Sequence, residues 1–175
     1  MVSTDYLTAR DGASGVIGDI RAFPVQITTF FGQSTEALMR HYFAWSYEVT
    51  AMAKARDARF VLISDNSKAV RPEPTLRRVI AELIDAGPPE AATLIAATYV
   101  VYESALVRGA VTAIQWLSNR NWNLTTVPSV QHGITAALAT LTAEGIALPV
   151  GLSAETYRTP TIPDGPQIGP RIGPR

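Results

Sequence analysis

Apolar residues along this chain fall into short β-prone runs and longer stretches with spacings of three and four, separated by clusters of proline, glycine and asparagine. Val16 to Ala22 and Val25 to Phe31 are runs of the first kind, parted by Phe23-Pro24, which reads as a turn joining antiparallel neighbours. Ser34 and Thr35 are N-cap residues with Glu36 just behind them, where its charge suits the positive end of a helix. Leu38, Tyr42, Trp45, Val49 and Met52 then recur at helical spacing, and Met39 and Phe43 widen the stripe into a broad core-facing surface.

Arg59 to Asp65 supplies a continuous apolar run, expected of a central strand covered by helices on both faces. Asp65-Asn66-Ser67 ends it with turn chemistry, and Pro72 and Pro74 delay the next helix to about Thr75. Leu76, Val79, Ile80, Leu83 and Ile84 form that helix's apolar face, and Gly87-Pro88-Pro89 stops it. Thr93 to Tyr102 reads as another buried strand, with Ser104 placed to cap a helix carrying Val107, Ala110, Val111, Ile114 and Leu117. A turn over Asn119 to Asn123, a short strand Leu124 to Val127 and a last helix capped by Ser129 complete the order ββαβαβαβα. Alternation after the opening hairpin predicts an α/β fold: a mostly parallel sheet with right-handed crossovers and helices packed on its faces. Residues 1–15 read as a mobile leader, 16–145 as the α/β domain, and 146–175, rich in proline and glycine, as an extended tail.

At 175 residues the chain can bury roughly two thirds of the surface its unfolded form exposes. Hydrophobic residues make up 47% and charged ones 17%, a balance that argues against wholesale disorder. Fifteen basic side chains balance fifteen acidic ones, so no broad positive field is offered to a nucleic acid. Cysteine is absent, which excludes disulfides and thiolate chemistry; with no secretory signal pattern and no apolar run of membrane-spanning length, a cytoplasmic location is expected.

Candidate chemistry is sparse. The two histidines, His41 and His132, sit in no ligand motif, so no metal or other cofactor is expected. No nucleophile elbow is present, and Gly12, Gly15 and Gly18 precede a strand, whereas a dinucleotide loop must follow one. The acidic side chains show no inward-facing pair suited to acid/base work. Arg77 and Arg78 open a helix next to the loop holding Asp65 and Ser67, a set that would suit a small anion. Tyr42, Phe43, Trp45, Met52 and Trp116 form an aromatic-rich set that could line an apolar pocket between helix and sheet.

Three stretches, Phe60–Asp65 (FVLISD), Pro74–Arg78 (PTLRR) and Ser104–Leu117 (SALVRGAVTAIQWL), together resemble the SpoIIAA-like branch of the STAS family, the STAS/SEC14-like domains. The resemblance implies a STAS-like, mostly parallel sheet of four to five strands after the N-terminal β-hairpin, with four or more helices packed largely against one side of it. It also implies a regulatory or protein-binding role and no catalysis. In anti-sigma-antagonist members a serine or threonine after the third strand is phosphorylated to switch partner binding, and Ser67 lies nearest that position; Asp65-Asn66-Ser67-Lys68 departs from the family's switch motif by lacking its Ser-Gly ending. The expectation is therefore a non-enzymatic STAS-like module with a protein partner, self-association through a strand edge or helix face being a further option. The alternative is a carrier or sensor of a small apolar ligand held between helix and sheet.

Overall fold

The computed structural model describes residues 5–120 and 124–161. Its elements are β1 (Tyr6–Asp11), β2 (Ser14–Asp19), β3 (Val25–Gln33), α1 (Glu36–Ala55), β4 (Phe60–Val70), α2 (Pro74–Ala86), α3 (Ala91–Leu94), β5 (Ile95–Val101), α4 (Ala105–Leu117), β6 (Leu124–Val127) and α5 (Val130–Ala143). The fold is α/β, with a six-stranded mixed sheet rather than one of four to five strands. The additional strand, β1, falls inside the segment read as a leader. Leu7 and Ala9 alternate inward there, and Asp11 pairs with Ser14 across a tight turn in which Gly12 adopts a φ of 59°. Asp-Gly is a hairpin signal because glycine takes a positive φ without strain.

Strands follow one another across the sheet in chain order, antiparallel from β1 to β3 and parallel from β3 to β6. With every parallel strand added on the same side of the last, crossovers of one hand must all cross the same face, and α1, α2 and α4 lie there. Helix α5 follows the last strand and folds back over the opposite face. The caps match the sequence: Thr35, Ser104 and Ser129 accept from the backbone N–H of Leu38, Leu106 and His132, and Pro74 occupies the first turn of α2.

β4 does not end at Asp65. It continues to Val70 through a β-bulge, where Thr29 pairs with Asp65 but Phe31 pairs with Lys68. The turn-forming residues are thus used inside the strand: Asp65 accepts from the Ser67 N–H at 3.0 Å, and Asn66 Nδ2 donates to the Ser64 carbonyl and hydroxyl. A bulge reverses which parity faces a given side. Leu62, Ser64 and Asn66 therefore face the α1 side before it, and Ala69 does so after it.

One core lies under α1, where Leu38, Tyr42, Trp45 and Val49 meet Val16, Ile20 and Phe30. Another lies under α5, where Ile134, Ala137 and Leu141 meet Val25, Ile27, Val61 and Ile63. Beyond α5 the segment read as a tail has no regular element up to residue 161, yet Ile146, Leu152 and Tyr157 pack against this second core and the Tyr157 hydroxyl donates to Asp19 at 3.3 Å. Burial, with the Asp19 carboxylate adding to it, pushes the Tyr157 phenol well above its ordinary pKa, so it stays a donor. Part of the turn expected at Asn119–Asn123, namely residues 121–123, and the tail from 162 onward lie outside the described residues.

Candidate functional site

Between α1, α2, α4 and the sheet lies a partly open cavity of about 550 Å³. Its walls are apolar: Tyr42 and Phe43 from α1, Ile80 and Ile84 from α2, Ala110 and Ile114 from α4. Its floor is not. Leu62, Ser64 and Asn66 of β4 and Thr98 and Val100 of β5 lie side by side, because Leu62 pairs with Thr98 and Ser64 with Val100. Beside them Thr28 of β3 pairs with Ser64 and lies next to the buried Tyr42 hydroxyl, as does Ser46. Burial raises the Tyr42 pKa, which keeps the phenol neutral.

Solvent reaches the middle of the sheet from this side. Leu62, Ser64 and Asn66 are all half-buried, although β4 has two strands on one flank and three on the other. Thr98 is 7% exposed and lines the cavity; among the described residues its hydroxyl has no protein partner, and the oxygen is not sealed from the solvent of the cavity. A hydroxyl so placed can bond either water or a ligand that displaces it.

Charge is confined to the margin, where two arginines are the only charged lining residues described, and both are engaged. Arg59 donates to the Thr93 carbonyl and pairs with Glu144. Arg120 donates to the carbonyls of Asp85, Gly87 and Pro88 at the C-terminal end of α2, where a cation complements the helix dipole. Asp85 ties the same corner together. Its carboxylate accepts from the Ser118 hydroxyl at 2.6 Å and from both nitrogens of Asn119, and these bonds hold its pKa below the usual carboxylate range.

Of the aromatic set read from the sequence, Tyr42 and Phe43 line the cavity and Trp45, Met52 and Trp116 do not. Trp45 points to β2, where a Cβ on Gly18 would stand 2.4 Å from the indole; the glycine leaves room for the ring, which is core. Met52 packs half-buried against the same core. Trp116 is 84% exposed, since the inward face of α4 is taken by Val107, Ala110 and Ile114, and two residues past Ile114 the helix has turned through some 200°.

The anion set is divided too. Asp65 and Ser67 line a smaller recess of about 320 Å³ beside the bulge of β4 and past the ends of β5 and β6, along with Glu103, Ser129 and Arg158. Arg77 and Arg78 are absent from it; Arg77 is tied to the Pro72 carbonyl at 3.0 Å and Arg78 is exposed. Asp65 and Glu103 outnumber Arg158 among the charged residues lining this recess, which disfavours an anion there. The Ser129 hydroxyl lies 2.9 Å from His132 Nδ1, but both belong to the cap of α5.

Among the described residues no three His, Cys, Asp or Glu side chains come together as metal ligands, and no helix is long and apolar enough to cross a membrane. Compared with known proteins, the chain matches no family model, no curated protein and no solved structure.

Proposed function

We propose that this chain is a non-enzymatic binding module that takes a small, largely apolar molecule into the cavity between α1, α2, α4 and the sheet, as a carrier or sensor. The observation that carries the reading is the half-burial of Leu62, Ser64 and Asn66 at the centre of the sheet, beneath apolar helix faces. A protein interior is ordinarily close-packed, so a space of about 550 Å³ there is of the size and character of a ligand site. The neutral fluorophore N-phenyl-1-naphthylamine is expected to bind at one site with enhanced, blue-shifted emission. Ala110→Leu, which extends a side chain into the cavity from α4, should weaken that binding at least about tenfold. Absence of binding, or binding indifferent to Ala110→Leu, would refute the proposal.

A second reading, a STAS-like regulatory module with a protein partner, draws support from the outer face of α4, where Leu106 and Trp116 are 63% and 84% exposed. Self-association through that face is one form of it, checked by whether sedimentation depends on concentration in the wild type and ceases to in Trp116→Ser. A phosphate switch at Ser67 has less support. Its N–H is bonded to Asp65 within a continuous strand, so added negative charge would meet the Asp65 carboxylate rather than a helix start.

A further inference from the structure

We infer that the ligand of the helix-side cavity is an uncharged amphipathic molecule, whose hydroxyl, carbonyl or amide group bonds to Thr98 and the Ser64–Asn66 pair while its apolar part lies against α1, α2 and α4. The inference rests on the cavity reading and narrows it. Three observations bear on the polar end. Thr98 lies among the apolar residues of β5 and lines the cavity, and among the described residues its hydroxyl has no protein partner, so it is available to a ligand. Ser64 and Thr98 are diagonal neighbours on adjacent parallel strands, each projecting to the cavity side. Asn66 is turned by the bulge toward Ser64, to which its amide donates at 3.0 Å; this commits the amide nitrogen and leaves the amide oxygen and the two hydroxyls for a ligand.

Two observations bear on its charge. The floor offers both donors and acceptors but no ionised group, so a carboxylate or ammonium placed on it would be desolvated without a counter-ion. Both marginal arginines already serve backbone carbonyls, and Arg59 also has Glu144, so moving either inward would break existing bonds. A group such as an alcohol, donor and acceptor at once, matches the floor atom for atom.

The test uses the intact chain with N-phenyl-1-naphthylamine bound, displaced at pH 8 by decane, 1-decanol, decanoate or decylammonium, in the wild type and in Thr98→Val. The alcohol is expected to displace the dye at concentrations at least tenfold below either ion. Thr98→Val should weaken decanol about threefold to tenfold, the worth of one neutral hydrogen bond, and leave decane unchanged. A thermal melt no lower than the wild type's would establish that the variant is folded. Decanoate or decylammonium binding as well as decanol, a decanol affinity indifferent to Thr98→Val, or a dye that decanol fails to displace would each overturn the inference while leaving the cavity reading standing. If the dye itself does not bind, the cavity reading fails and the inference falls with it.

Discussion

The two faces of the central strand differ sharply over a distance of one residue. Val61 and Ile63 are each 0% exposed beneath α5, among aliphatic side chains from β3, β5 and β6. Leu62 and Ser64, which point the other way, remain half-buried under α2 and α4. Helix α5 approaches so closely that a Cβ on Gly133 would stand 3.1 Å from Ile63, whereas α4 meets the sheet across a space. One face holds the fold together; the other is left incompletely filled and partly polar, an arrangement that weakens a core and suits a ligand.

The contrast has consequences for stability. Ile63→Ala should cost about 2–5 kcal/mol in urea unfolding, because its neighbours are fixed and the vacated volume stays empty. Leu62→Ala should cost roughly 1 kcal/mol or less, since a half-exposed side chain beside an existing space loses little packing. Equal costs would remove the distinction between the faces. Next in size is an acid effect at the Asp85 corner. The folded pKa of Asp85 is depressed, so its contribution is fully present above the ordinary aspartate value of about 3.9 and is lost as pH falls through the depressed value. Between about pH 5 and pH 2.5 the melting temperature of the wild type should therefore fall more steeply than that of Asp85→Asn. Smallest is Trp116→Ala, expected to change stability by no more than about 0.5 kcal/mol because the ring is 84% exposed.

The elements that frame this contrast were legible in the sequence, but the contrast itself was not. Phe-Val-Leu-Ile after Arg59 marked a strand with helices on both faces, and β4 is that strand. Capping residues at Thr35, Ser104 and Ser129 placed three helix starts because a cap is a local interaction. Features that depend on register were hidden. Asp65-Asn66-Ser67 carries the same residues whether it ends a strand or bulges within one, and only pairing with β3 decides. Helix periodicity gave one core-facing stripe and could not separate Tyr42 and Phe43, which line the cavity, from Trp45, which is core because Gly18 lies opposite. Ser64, Asn66 and Thr98 form no group in the sequence, as they are spread over two strands and meet only in the sheet. A signal did exist: a threonine in the middle of Ile95–Val101 is a polar group placed where burial is expected.

Methyl-resolved NMR during a titration with 1-decanol tests the division between the faces most directly. The expected result is that methyl signals of Leu62, Val100, Val107 and Ile114 shift together and saturate, while those of Val61, Ile63, Ile134 and Leu141 on the α5 side stay in place. Shifts confined to the α5 set, or an unchanged spectrum at saturating decanol, would contradict it.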